Sequence, residues 1–452
     1  MKRTFLFLAA AVVLTIAAHA QETDSLKYRV YLKDKQGTRY SLEHPQAFLS
    51  ERAVLRRLQQ GLAMDETDLP VSDVYLDGIQ KAGARIIHAV KWDNVVLVST
   101  NDKAVIERIA ALPFVTETKL VWRKPAKEPR PLKRDSLTNK MDTVDNYYGH
   151  GYKQIAMSKV EKLHDAGFKG AGMVIAVIDG GFHNADRMEA MDNIRILGTR
   201  DFVNPGADVC DEQSHGMMVL SCIGMNKPNF MVGTAPEASF WLLRSEDGAS
   251  EQPVEEDYWA RAVEYADSVG VDVINTSLGY YDYDGEHVDY ELRNLTGKYA
   301  LSSRQAGQLA AKGIILVASA GNAGGGSWKK ITSPGDADNI LTVGAIGKNG
   351  QLASFSSIGT TADGRIKPDV VAVGMMSDVI STKGEHTMAN GTSFASPIMC
   401  GMVACLWQAL PYKNASQIIE LVRQSGDRAE WPDNVYGWGI PDLWKAYETE
   451  TK

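Results

Sequence analysis

Residues 173–179, MVIAVID, form an unbroken apolar run closed by a carboxylate, and four later runs share its character: ASFWLL (238–243), VDVINTS (271–277), GIILVASAG (313–321) and NILTVGAI (339–346). Near-continuous apolar strands alternating with helices predict a parallel sheet covered on both faces. Ligands of such sheets sit beyond the carboxyl ends of the strands, so the ends of these runs are where chemistry is expected. Asp179, followed by Gly180 and Gly181, stands at the first of them. From about Asp145 onward the expected fold is therefore α/β, a mostly parallel sheet with helices on both faces.

Upstream the pattern is different. KYRVYLKDK (27–35) alternates polar and apolar side chains as a strand does, and QAFLSERAVLRRLQQ (46–60) repeats apolar positions as a helix does. A helix over 72–83, a strand pair over 84–99, a helix over 102–112 and a strand ending at Arg123 follow. This succession predicts a small α+β, ferredoxin-like module. KPAKEPRPLKRDS (124–136), with three prolines and a scatter of Lys and Arg, reads as an exposed linker. The expected organisation is a leader at 1–20, the small module at 22–123, a linker at 124–144 and the α/β domain at 145–452.

The chain has 452 residues, 44% hydrophobic and 23% charged, which is ordinary globular usage and excludes a disordered or coiled-coil protein. The net charge of -8 conceals an asymmetry: residues 22–136 hold 20 basic and 16 acidic side chains, residues 137–452 hold 26 and 40. The two portions attract each other, and an acidic main portion argues against nucleic acid as a partner. MKRTFLFLAAAVVLTIAAHA has a basic start, an apolar stretch from Phe5 to Ala17, and small residues at Ala18 and Ala20. It reads as a secretory signal peptide, giving a secreted or periplasmic product with no membrane partner after cleavage. The alternative, a membrane anchor, needs an apolar run of about 20 residues, longer than this one. Cys210, Cys222, Cys400 and Cys405 do not make a disulfide scaffold, and Cys400 and Cys405 fall on different faces of one expected helix, so buried thiols are the expectation.

His215 lies in DEQSHGMMVLSCIG (211–224), at the start of a run that reads as a half-buried helix, and Gly216 beside it leaves room for another chain to approach the ring. The strongest local signal is GTSFASP (391–397), followed by the apolar helix IMCGMVACLWQAL. A Ser in the first turn of a buried helix has its hydroxyl near the positive end of the helix dipole and its own N–H free to bind an anion, both of which suit a nucleophile. Pro397 is tolerated because the early N–H groups have no helical partner.

With VIDGG around Asp179, SHG at His215, GTAPEA at 233–238, SLG at 277–279, SAGN ending at Asn322 and GTSFASP around Ser393, in that order, the chain resembles the subtilisin-like serine proteases over roughly residues 150–448. The resemblance implies an endopeptidase in which Ser393 is the nucleophile, His215 the general base and then acid, and Asp179 the carboxylate that orients the imidazole. It implies that Asn322 and the backbone N–H of Ser393 receive the oxyanion. It also implies substrate binding along Ser277, Leu278 and Gly279, with Ala318, Ser319, Ala320 and Gly321 walling the pocket for the residue before the scissile bond. Tyr280 departs from the family's common SLGG. Acidic residues gather at Glu246, Asp247, Glu251, Glu255, Glu256 and Asp257. Most read as solvated surface; the sharper expectation is a preference for basic residues upstream of the cut.

The family often uses structural calcium. Here the loop GMNKPNFMVG (224–233) offers Asn226 and Asn229 but also Lys227 and no carboxylate, so no metal residues are assigned, no cofactor is required, and a structural calcium has no location. The module at 22–123 resembles the family's prosegments in position and topology. As an intramolecular inhibitor it would be cut away within or shortly after the linker, with Lys133 and Arg134 as one candidate site. Two other readings are weaker. A peptide-binding relative without activity would lack one of Asp179, His215, Asn322 and Ser393, and an α/β-hydrolase esterase would carry Gly-x-Ser-x-Gly with its acid and His following.

Overall fold

The computed structural model describes residues 26–125 and 132–451. The leader expected at 1–20 lies outside the described residues.

In the N-terminal part, β1 (Leu26–Leu32), α1 (Glu51–Gln59), α2 (Asp73–Lys81), β2 (Arg85–Val90), β3 (Val95–Thr100), α3 (Lys103–Ala110) and β4 (Val115–Trp122) follow one another. The strands pair antiparallel in the order β2-β3-β1-β4, the ferredoxin-like arrangement expected from the element succession. The helix expected over 46–60 begins only at Glu51. Ser50 caps it by accepting from the N–H of Ala53, while Pro45–Ala47 forms a separate short turn. Alternation along the strands gives the sheet two apolar faces. Val30, Val96 and Val98 pack under Tyr75 and Ile79 of α2 and Val105 and Ile109 of α3. Leu97 and Val121 point the other way, with Trp92, into a core shared with the C-terminal part.

That part begins with α4 (Tyr152–Ala156) and α5 (Val160–Asp165), then β5 (Val174–Asp179), β6 (Arg195–Asp201), α6 (His215–Gly224), a hairpin of β7 (Asn226–Lys227) and β8 (Met231–Val232), β9 (Ser239–Arg244) and α7 (Val254–Val269). It continues with β10 (Val273–Thr276), α8 (Leu301–Gln308), β11 (Ile315–Ser319), β12 (Leu341–Ile346), β13 (Val370–Val373), the hairpin β14 (Ser377–Ile380) and β15 (His386–Ala389), and the helices α9 (Thr392–Ala409), α10 (Ala415–Gln424) and α11 (Leu443–Thr451). Seven strands form a parallel sheet in the order β13-β12-β11-β10-β5-β9-β6. The five apolar runs supply its central strands. The edge strands β6 and β13 were not legible: β6 is half exposed and polar, and β13 is only four residues long.

Packed on one face are α6 and α9, and on the other α7 and α8. The chain builds outward from β5 to β6 and β9 on one side, then crosses to β10 and proceeds to β13 on the other. The direction of winding therefore reverses between β5 and β10, and the carboxyl ends of those two strands open a crevice. Asp179 ends β5 and Ser277 follows β10.

The two parts meet through buried ion pairs. Asp267 of α7 takes Arg56 at 2.5 Å, Arg57 at 2.9 Å and Lys91 at 3.2 Å. Asp257 holds the Arg29 guanidinium through two bonds of 2.8 and 2.6 Å, and Glu264 accepts the backbone N–H groups of Lys91 and Trp92. The surface expected for Glu255, Glu256 and Asp257 is thus corrected: they are 2%, 1% and 0% exposed, because Arg29 of the N-terminal sheet covers Asp257, Tyr283 and Tyr290 cover Glu256, and the N–H groups of Asp247 and Gln252 close on Glu255.

Candidate active site

Asp179 is fully buried at the end of β5, and its Oδ1 accepts from the N–H of Gly180 at 2.8 Å. The Nδ1 of His215, first residue of α6, lies 2.8 and 3.0 Å from the two carboxylate oxygens. A carboxylate accepts and does not donate, so Nδ1 carries the proton and the neutral ring presents a bare Nε2 on its far side. Burial pushes the His215 pKa down, but the charges of Asp179 and Glu246 more than offset this, and it sits above its ordinary 6.5. Glycines make the approach possible. A Cβ on Gly216 would lie 2.6 Å from the Gly181 carbonyl and 2.7 Å from the Asp179 Cβ, so the chain that Gly216 admits is the one carrying the acid.

Ser393 sits in the first turn of α9, behind Gly391, whose φ of 154° and ψ of 148° turn the chain into the helix. The hydroxyl donates to the Ser277 carbonyl at 3.3 Å, and the Ser277 hydroxyl donates to the Ser393 carbonyl at 2.8 Å. These reciprocal bonds hold the Ser393 backbone against the end of β10. The hydroxyl makes no hydrogen bond to His215, whose ring is 5.8 Å, centroid to centroid, from that of the next residue, Phe394. Catalytic hydrogen bonds are often long in structures without substrate and tighten only in the reacting complex. Asn322 leans on the same helix start: its Oδ1 accepts from the Thr392 N–H at 2.9 Å and from the Thr392 hydroxyl at 3.0 Å. Because a backbone N–H only donates, the oxygen must face Thr392, and the Asn322 amide is left free to donate elsewhere. The Ser393 N–H, an orphan of the first helical turn, is the other free donor at this corner.

Beside the Asp179–His215 pair a cavity of about 490 Å³ is lined by Ser277, Leu278 and Gly279 on one side and by Glu246, Asp247, Glu251 and Glu255 on the other. Ala318, Ser319, Ala320 and Gly321 do not line it; they run next to Leu278, and the Ser319 hydroxyl donates to the Leu278 carbonyl at 3.3 Å. Tyr280, 1% exposed, reaches Glu246 with its hydroxyl at 2.6 Å, which accounts for its presence where a glycine is common. Burial raises Glu246 to about 8, helped by the charges of Glu251 and Asp179, and Glu251 to about 7, helped by Asp282 and Asp284; it pushes Glu255 well up too, helped by Glu246 and Glu251. Among the described residues these three form a group whose carboxylate oxygens lie within 4.8 Å of one another, the spacing a hard cation would need. The loop at 224–233 instead holds the β7–β8 hairpin, with Lys227 paired to Asp192 and the Asn229 amide on the Val144 carbonyl. Gln213 also lines the cavity, its side chain filling the space beside Gly180 and Gly248; nothing in DEQSHG marks it as a site residue.

The model of the Subtilase family matches residues 170–439, well over half of the chain. The chain belongs to the subtilase family. A second model, the Peptidase S8 propeptide domain of Bacteroidota, matches residues 27–138. Subtilisin DY of Bacillus licheniformis is 30% identical over 270 residues, 58% of this chain and 87% of its own. Subtilisin NAT of Bacillus subtilis subsp. natto is 27% identical over 353 residues, 76% and 78% of the two chains. The crystal structure of MycP1 from Mycobacterium smegmatis shares the fold with a TM-score of 0.54 at 22% identity, over 72% of this chain and 90% of that one. This subtilase is accordingly a serine-type endopeptidase made with an N-terminal propeptide domain that serves as an intramolecular inhibitor. The four cysteines are buried and unbridged, and burial pushes the Cys210 thiol up to about 12. No helix among the described residues is long and apolar enough to cross a membrane.

Proposed function

We propose that Ser393, His215 and Asp179 hydrolyse peptide bonds through an acyl-enzyme, in a protease that is exported and cuts away its own prosegment. The observation that carries this reading is the Nδ1 of His215 held at 2.8 Å on a fully buried carboxylate, with the ring 5.8 Å from that of Phe394 at the start of α9. The Ser393 hydroxyl turns from the Ser277 carbonyl to His215 and attacks the substrate carbonyl carbon as Nε2 takes its proton. The oxyanion forms against the Asn322 amide and the Ser393 N–H. Collapse expels the amine, which receives the proton from Nε2, and leaves an ester on Ser393. Water then repeats the sequence and frees the acid. The raised pKa of His215 suits both halves, because the imidazolium formed is stabilised by Asp179.

The linker is held on both sides. The Arg123 N–H donates to the Gln252 side chain, and Arg134 is bonded to Asp186, Asp208 and Asp211. A cut between these anchors leaves Arg134 as the fastening of the mature N-terminus. The carboxylates beside the cleft support a preference for Lys or Arg upstream of the cut, since a cation there relieves their mutual repulsion. The basic leader supports export.

Ser393→Ala tests the proposal. Casein hydrolysis is expected to fall by roughly six orders of magnitude, the loss measured for the corresponding change in subtilisin. Mass spectrometry of the product is expected to find the prosegment still attached, whereas wild type begins between residues 124 and 134. Processing that survives in Ser393→Ala would refute self-cleavage, and retained caseinolysis would refute the nucleophile.

A further inference from the structure

Asp179, His215 and Ser393 each stand at the end of a loop. Residues 180–187 follow Asp179, residues 208–214 precede His215, and the turn of the β14–β15 hairpin, residues 381–385, leads through β15 into Ser393. Residues 134–139 are bonded to all three loops. Arg134 joins the first two: Nη1 donates to both oxygens of Asp186 at 2.8 Å, Nη2 to Asp208 at 2.9 Å, and Nε to Asp211, four residues before His215. One exposed ion pair would hold little, but a guanidinium forked on one carboxylate and bonded to two more is a network of fixed geometry. Asp135 adds a second tie. Its N–H donates to His183 Nε2 at 3.2 Å, so that nitrogen is bare, and Nδ1 carries the proton given to the Glu212 carbonyl at 3.2 Å. The same two loops meet through backbone bonds, His183 N–H to the Gln213 carbonyl at 3.1 Å among them, so a displacement of one moves the other. The third loop is fastened by the Thr138 and Asn139 N–H groups, which donate to the Lys383 carbonyl at 3.0 and 3.1 Å. The Asn184 amide completes the junction by donating to the carbonyls of Asp135 at 3.2 Å and Thr382 at 3.0 Å.

Resting on the proposed cleavage of peptides by Ser393, His215 and Asp179, we infer that residues 134–139 are a brace that sets the spacing of the three loops, with Arg134 a positioning residue for His215. Arg134 acts on the reaction through residues 208–214 and not on the substrate. Without its guanidinium, Asp186, Asp208 and Asp211 face one another with no counter-charge between them. Their repulsion then pushes the stretch entering α6 away from the loop behind Asp179, and the imidazole shifts against Ser393. The mature enzyme therefore has to keep Arg134, and the Lys133–Arg134 pair is cut ahead of Arg134 or not at all.

The test uses the full-length chain after self-processing and a tetrapeptide p-nitroanilide that wild type cleaves, at a temperature well below the melting transition of every variant. Arg134→Ala is expected to lower kcat by about 10–10²-fold with KM unchanged, since misplacing reacting groups by about 1 Å costs up to about 10²-fold. Labelling of Ser393 by a fluorophosphonate is expected to slow by the same factor. Ethylguanidinium chloride, which refills the space between the three carboxylates, is expected to restore most of the lost kcat, and sodium chloride at the same concentration none of it. A residue needed only for folding is not rescued in that way. Should Arg134→Ala not mature, Asp186→Asn carries the test, because it removes the forked partner from the exposed side; its kcat is expected to fall with KM unchanged. Wild-type kcat in Arg134→Ala or in Asp186→Asn, a loss in Arg134→Ala that ethylguanidinium does not repair, or a mature wild-type N-terminus beyond Arg134 overturns the inference. Failure of wild type to label at Ser393 overturns the proposed function itself, whereas labelling of Arg134→Ala at the wild-type rate overturns only the brace.

Discussion

The proposed mechanism gives the Asn322 amide two jobs. Its oxygen anchors the start of α9 through Thr392, and in that proposal its nitrogen is the donor to the oxyanion. Asn322→Asp separates them, because the carboxylate still accepts from Thr392 but offers no donor. The expected result is kcat lower by about 10²–10³, the range measured for the oxyanion-hole Asn of subtilisin, with an unchanged melting temperature. A large drop in melting temperature would mean that the residue is structural. Glu246 and Glu251 titrate near 8 and 7. Folding raised these pKa values, so the native state favours their protonated forms. Their contribution to stability is therefore greatest below the ordinary carboxylate pKa of 4.5 and is lost as pH rises through 7 to 8, while the cleft gains negative charge over the same interval. Cleavage of peptides with Lys upstream of the cut is expected to improve relative to Ala counterparts from pH 6 to 9, and a flat ratio of kcat/KM values over that range would contradict it.

At the scale of elements, α7 decides how the propeptide domain is held. Helix α7 presents Asp257, Glu264 and Asp267 to Arg29, Lys91, Arg56 and Arg57 in a setting from which water is largely excluded. Removing one partner from a buried network strands the others: Asp267→Asn is expected to weaken docking by about 3–5 kcal/mol, seen as faster appearance of activity after processing. His88 of β2 adds a pH dependence. Its Nε2 donates to the Phe202 carbonyl at 2.7 Å, its ring packs edge-on against Phe202 and Tyr258, and burial lowers its pKa to about 4, helped by Arg261, Lys27 and Arg200. Undocked, the ring takes a proton near its ordinary 6.5. Docking is thus fully supported above pH 6.5 and weakens by up to about tenfold per pH unit down to about pH 4. Release of activity measured from pH 7 to 4 is expected to quicken in wild type and to flatten in His88→Phe.

For the molecule as a whole, the central strands, the order of the N-terminal elements and the positions of Asp179, His215, Asn322 and Ser393 were legible because each is written locally, as an apolar run or as a motif around one side chain. What was illegible depends on pairing in space. Edge strand β6 looks polar because only one of its edges and part of its faces are covered, and Asp257 looks like surface because Arg29, 228 residues earlier in the chain, covers it. The charge asymmetry did foretell the attraction between the two parts, but not that it runs through buried pairs. All of this converges on one corner of the molecule, and reaction with a fluorophosphonate followed by peptide mapping reports on it most directly. The account predicts a single label on Ser393 that is lost in His215→Ala; a label on another residue, or one undiminished when His215 is removed, would contradict it.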